Sequence, residues 1–190
     1  MPKIARLERE IIVTEKIDGT NASILIQPET TDLADIPLES KNIDGFYITA
    51  ASRTRWLLPG KDRDNFGFAG WVHENAKELM KLGEGHHFGE WWGHGIQRGY
   101  DLKERRFSLF NVSRWTTEAL DGIPVSVVPH LATMLGPDRR AIDECMDMLA
   151  TGGSRAAPGF MKPEGIVVYH TAANTLFKKT FEHDAQGKGM

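Results

Sequence analysis

Glu15-Lys16-Ile17-Asp18-Gly19-Thr20-Asn21 is the stretch from which the rest of the chain is read. It sets a lysine between two acids, at the end of a strand and just before a glycine turn. The strand is Glu10 to Lys16 (EIIVTEK), rich in β-branched residues. Asp18-Gly19 turns the chain, and Ala22 to Gln27 (ASILIQ) reads as the returning strand. A lysine attacks phosphorus only as the neutral amine. Free lysine titrates near about 10.4, so work near neutral pH requires its ammonium form to be destabilised by roughly 4 kcal/mol. Nearby positive charge and desolvation do this, whereas carboxylates alone do the opposite. By itself K-x-D-G is weak, because a strand-end lysine beside a β-turn is its commoner meaning.

Four further segments follow in order: Phe88-Gly89-Glu90-Trp91-Trp92-Gly93, Phe107-Ser108-Leu109-Phe110, Pro163-Glu164-Gly165-Ile166-Val167-Val168 and Leu176-Phe177-Lys178-Lys179-Thr180. Glu90, between a glycine and two tryptophans, is a candidate for ribose hydroxyls or a metal, and its plain reading is a strand glutamate beside core aromatics. Trp91 and Trp92 point to opposite faces of a strand, which means burial on both sides or one ring exposed for base stacking. Phe107 and Phe110 also face opposite ways, one toward a core and the other toward a cleft where a purine could stack. Glu164 precedes the turn residue Gly165 and an apolar run, a position that suits a metal-binding or lysine-orienting acid. Lys178 follows an apolar strand and is a candidate phosphate contact. Singly, each of these is an ordinary surface or core residue.

The remaining pattern predicts an α+β fold of antiparallel sheets packed on each other, with flanking helices. Phe46 to Ser52, Gly85 to Trp92 and Arg106 to Val112 read as strands, and Pro124 to Pro129 as a short one. Ile166 to Tyr169 and Asn174 to Lys179 form a pair through Thr171-Ala172-Ala173. A helix capped by Asp64 or Asn65 runs to about Leu82 and ends at Gly83 and Gly85. A second opens at Pro137, buries Ile142, Cys145 or Met146, and Leu149, and closes at Gly152-Gly153. Pro28 to Asp44 reads as a long polar connection. No linker-like tract divides the chain, so one domain over residues 1–190 is expected.

Composition sets outer bounds. With 190 residues, 41% hydrophobic and 26% charged, the chain can bury a real core without staples. The lone cysteine excludes an internal disulfide framework. No apolar run approaches a membrane span, and Met1 to Arg9 lacks a signal-peptide core, so a cytoplasmic protein is expected. A net charge of −3 gives no global nucleic-acid signature. Any polyanion must therefore use local clusters such as Arg53 with Arg55, or Lys103 with Arg105 and Arg106.

Taken together, the five segments resemble motifs I, III, IIIa, IV and V of the covalent nucleotidyltransferases, and are most similar to the RNA ligase 2-like branch known from phages. The resemblance spans Glu15 to Thr180 as separate islands and implies an adenylyltransferase domain with the nucleotidyltransferase (ATP-grasp-like) fold. It implies that Lys16 becomes lysyl-AMP, that Glu90 grips the ribose and that Phe110 stacks on adenine. Glu164 then helps bind the metal, and Lys178 meets the α-phosphate. Arg53 resembles a phosphate-contacting arginine, with Arg55 as the alternative. Asn21 resembles an asparagine used in sealing, and Glu15 helps position the adenine.

The implied cofactors are ATP and Mg²⁺ (or Mn²⁺). The implied partners are RNA ends, a 5′-phosphate and a 3′-OH, or DNA ends, with no membrane. The activity is that of RNA repair. The other readings are a DNA ligase, a GTP-using capping-type enzyme, or a non-catalytic binding module of the same fold. The pattern departs from the family at Thr180, where a second motif V lysine is expected, with Lys179 or Lys188 as substitutes. Only ten residues follow Thr180, so no appended C-terminal or OB domain is expected.

Overall fold

The structure, a computed structural model, describes residue 3 and residues 6–182. Lys188 lies outside them. The chain divides into two compact units, residues 1–18 with 128–190, and residues 19–127. The α+β character holds in both. Among the described residues, no helix is long and apolar enough to cross a membrane.

The first unit is built on β1 (Glu10–Lys16), β9 (His130–Leu135), β10 (Gly165–His170) and β11 (Thr175–Thr180), in the order β11-β10-β1-β9. Every neighbouring pair is antiparallel. The helix α3 (Arg139–Gly152) covers one face. Its start is fixed by Asp138, whose carboxylate accepts from the backbone N–H groups of Arg140 and Ala141 at 2.9 and 3.3 Å. Ile11 and Val13 of β1 and Ile166 and Val168 of β10 form the core with Cys145, Met146 and Leu149 of α3. Strand alternation therefore turns Ile12, Thr14 and Lys16 to the opposite face. Strand β9 is an edge strand paired with β1, and its Ala132 and Met134 pack against this core.

The second unit carries a seven-stranded sheet. Its path is β3 (Lys41–Ile43), β4 (Phe46–Ser52), β2 (Thr20–Pro28), β6 (Gly85–Gly93), β7 (Arg105–Leu109) and β8 (Ser126–Val127), and β5 (Trp56–Leu57) pairs with β4. Only the β7–β8 pair is parallel. Ile24, Ile26, Ile48, Ala50, Trp91, Phe107 and Leu109 form one face. They pack on Phe68, Ala69 and Val72 of α1 (Phe68–Glu74) and on Ala76 and Leu79 of α2 (Ala76–Leu79).

Three expectations are corrected here. The helix expected from residue 64 or 65 begins only at Phe68, because Phe66 and Gly67 adopt left-handed backbone angles. Asp64 still acts at its start, its carboxylate accepting from Ala69 and Gly70 N–H at 2.7 and 3.0 Å. The helix is also interrupted at Asn75, whose side-chain amide donates to the Trp71 carbonyl at 2.8 Å. The polar connection Pro28 to Asp44 contains the short strand β3, which pairs along β4. Finally, β7 ends at Leu109 rather than running to Val112, which leaves Phe110 just past the ladder.

Candidate active site

Lys16 is the last residue of β1 and Glu164 immediately precedes β10. The antiparallel register sets Lys16 opposite Gly165, which brings two residues 148 positions apart to one end of the sheet. Lys16 Nζ donates to Glu164 Oε2 at 2.8 Å, and the side chains are 24% and 16% exposed. A lysine amine and an acid thus share a partly open strand mouth. Gly165 lets β10 lie close against β11 at this end of the sheet. Its φ is +152°, and a Cβ there would lie 2.1 Å from the Lys179 carbonyl oxygen.

Lys178 pairs with Val167, which pairs with Thr14. Thr14 and Lys16 share a strand face, so the exposed Lys178 side chain belongs to the same face as Lys16. Thr180 occupies the next row, across Gly165 from Lys16, and is buried. Lys179 does not replace the expected second lysine. It lies on the α3 face, where its amine is paired with Asp143.

Glu15 points away from Lys16, as neighbours on a strand must. Its buried carboxylate accepts from Ser154 Oγ at 2.6 Å and from the N–H groups of Arg155 and Ala156 at 2.7 and 3.0 Å. The sequence reading gave this side chain a nucleotide contact, whereas the structure commits it to the segment that follows α3. Burial raises its pKa, against the lowering effect of these three hydrogen bonds.

In the second unit, Asn21 of β2 sits directly opposite Glu90 of β6, and Glu90 opposite Ser108 of β7. Glu90 Oε1 also accepts from the Gly19 N–H at 3.1 Å. Strand alternation turns Asn21, Glu90 and Ser108 away from the α1 face. Gly89 allows the packing behind them. A Cβ there would lie 2.4 Å from the Ser108 carbonyl and 2.7 Å from the Phe107 ring. Phe107 is buried and Phe110 is 40% exposed, the division that their spacing predicts.

Both tryptophans of β6 are buried. Trp91 donates to the Phe66 carbonyl at 3.0 Å, and Trp92 to Ser108 Oγ at 2.8 Å beneath an edge-on Tyr100. Neither ring is therefore an exposed stacking surface. Arg53 follows the last β4 pair, Ser52 with Ala22, and is exposed. Arg55 is spent on structure, since its guanidinium donates to the carbonyls of Arg63 and Asp64 at 3.1 and 3.0 Å. This leaves Arg53 as the better phosphate candidate of the two.

Among the described residues, no group of three His, Cys, Asp or Glu side chains is arranged to hold a metal ion. An all-protein cage is therefore not offered. A single partly open carboxylate, Glu164, suits a hard cation whose other ligands are phosphate and water oxygens.

The profile of the RNA ligase family matches residues 9–181, and the chain belongs to that family. Solved structures of a Naegleria gruberi RNA ligase share the fold. One mutant, with ATP and Mn, has a TM-score of 0.58 at 20% identity, covering 93% of this chain and 51% of that one. An apo mutant has a TM-score of 0.56 at 20% identity, covering 91% and 50%. A mutant with AMP and Mn has a TM-score of 0.56 at 20% identity, covering 92% and 50%. The chain thus spans about half the length of these proteins. No curated protein sequence matches it significantly.

Proposed function

We propose that this chain is the adenylyltransferase domain of an ATP-dependent RNA ligase that works through lysyl-AMP on Lys16. The observation that carries the reading is the Lys16–Glu164 pair at the mouth of β1 and β10, with Lys178 on the same sheet face. In the first step the Lys16 amine attacks the α-phosphorus of ATP. A P–N bond forms, the P–O bond to the β-phosphate breaks, and pyrophosphate leaves. Lys178 stabilises negative charge on the α-phosphate oxygens during this transfer. Next, an oxygen of an RNA 5′-phosphate attacks the same phosphorus, and Lys16 departs as the amine. A 3′-hydroxyl oxygen then attacks the activated 5′-phosphorus, and AMP leaves.

Glu90 binds the ribose hydroxyls, Phe110 stacks on the adenine, Arg53 meets phosphate and Asn21 serves the sealing step. Glu164 would hold a Mg²⁺ or Mn²⁺ ion, which when bound supplies neutralising charge at the phosphates. Glu164 also pairs with Lys16, so an ion held there would share that carboxylate with the lysine and would supply positive charge beside the amine. Glu15 takes part through position: its side chain fixes β1 against the segment after α3.

The test is intact-mass measurement after incubation with ATP and Mg²⁺. Wild type gains one AMP, and Lys16→Ala gains none. An adduct with GTP alone indicates a capping-type enzyme, and nucleotide binding without any adduct a non-catalytic module. Ligation of 5′-phosphorylated RNA and DNA strands separates the two polynucleotide substrates. An adduct on another lysine, or none with any divalent metal, overturns the mechanism.

A further inference from the structure

The face of the seven-stranded sheet turned away from α1 carries a row of aromatic rings that the ligation chemistry leaves unused. The row is set by register. Trp56 of β5 pairs with Ala51 of β4, Ala51 with Ser23 of β2, and Ser23 with Phe88 of β6. Ala51 and Ser23 are small and buried, so the rings at either end spread above them. His86, two residues before Phe88, fills the middle. Its ring is 6.1 Å from Trp56 with 26° between planes, and 4.1 Å from Phe88 with 33° between planes. His86 Nε2 lies 2.9 Å from Ser23 Oγ, which pins the imidazole.

These rings form a surface and not a core. Trp56 is 37% exposed and Phe88 51%, although the unit's apolar core lies on the opposite face of the same strands. Phe110, whose N–H donates to the Phe88 carbonyl at 3.0 Å, extends the aromatic edge toward the proposed adenine site. The turn that leads into Trp56 carries Arg53, which is exposed. Exposed planar rings near a guanidinium group are complementary to bases that follow a phosphate backbone.

We propose that Trp56, His86 and Phe88 form a stacking platform for the unpaired bases of an RNA strand held by this domain. The identity of the nucleic acid rests on the ligase reading; the platform itself rests on the ring geometry. Stacking of this kind tolerates any base, so the platform contributes affinity without sequence preference.

Fluorescence anisotropy of the full chain with labelled 5′-phosphorylated oligo(U) and oligo(A) tests the proposal. Trp56→Ala and His86→Ala are expected to weaken both strands on the order of 5- to 100-fold, while Trp56→Phe retains most of the affinity. A fully paired RNA duplex is expected to show little change, and the yield of lysyl-AMP in Trp56→Ala to equal that of wild type. Unchanged single-strand affinity in both alanine variants, with an adduct still formed, sinks the platform and leaves the ligase reading standing. A wild type that forms no adduct, yet loses strand affinity on Trp56→Ala, sinks the ligase reading and leaves the platform. A dimer in light scattering that Trp56→Ala converts to monomer, with strand affinity unchanged, makes the row a self-association surface and overturns the proposal.

Discussion

The two units solve different problems with the same material. In the four-stranded sheet the candidate residues are charged groups, Lys16, Glu164 and Lys178, gathered at one end of a small antiparallel sheet. In the seven-stranded sheet they are mainly neutral or shape-bearing: Asn21 beside Glu90, Phe110 at the edge and an aromatic row next to them. The first arrangement suits bond making at phosphorus, and the second suits recognition of sugar and base. Each depends on a strand glycine, Gly165 or Gly89, at a place where a side chain would collide with the next strand. On the proposed reading, reactivity is a matter of strand ends, while recognition is a matter of strand rows.

Lys16→Ala breaks this division most severely. It is expected to abolish the AMP adduct while circular dichroism stays that of wild type. Glu164→Ala is expected to do nearly the same, and normal adduct yield in that variant would separate the acid from the chemistry. Glu90→Ala tests the recognition side. Loss of a hydrogen-bonding carboxylate is worth about 1.5–3 kcal/mol, so adduct formation at limiting ATP should fall roughly 10- to 100-fold. An unchanged dependence on ATP concentration would remove Glu90 from the nucleotide site.

Smaller effects bear on the frames themselves. Gly89→Ala should destabilise the protein by about 1–3 kcal/mol through overpacking against Phe107, measured by urea denaturation. Glu15→Ala should cost a similar amount, because it leaves the Arg155 and Ala156 N–H groups and the Ser154 hydroxyl without their acceptor. Burial raises the Glu15 pKa, so the folded chain keeps that proton to higher pH than the unfolded one. The stability Glu15 contributes is therefore full below the ordinary carboxylate value and falls as pH rises through the raised one. Glu15→Gln should flatten this part of the pH profile. Asp64→Ala, which removes the acceptor for Ala69 and Gly70, should cost about 0.5–2 kcal/mol.

Much of the fold was legible because its strands are strongly patterned. Glu10 to Lys16 and Phe46 to Ser52 stand within the bounds that their residues predict. The helix after Pro137 buries Cys145, Met146 and Leu149 as its periodicity requires. What escaped was structure fixed by partners. Strands β3 and β5 are short and exist because β4 offers an edge, and β9 pairs with β1 as an edge strand whose side chains are only partly buried. The break at Asn75 escaped because helical periodicity continues across it. For the site, spacing alone set Phe107 and Phe110 on opposite faces, and the resemblance gave the cleft to Phe110. Glu164 could be read from its place before Gly165 as an acid for a metal or a lysine, but its meeting with Lys16 rests on a register between residues 148 positions apart. The aromatic row was not legible at all. Trp56 and Phe88 become neighbours only once the register of four strands is known.

The division of the chain has a consequence for its birth on the ribosome. Strand β1 emerges early, yet its ladder partners are residues 130–135 and 165–170, while the whole of residues 19–127 contacts itself. The inserted unit can therefore condense during synthesis, whereas the strand that ends in Lys16 waits for a closure more than a hundred residues long. A nascent chain halted before residue 164 lacks the acid that meets Lys16, so incomplete translation products carry the lysine without its carboxylate partner.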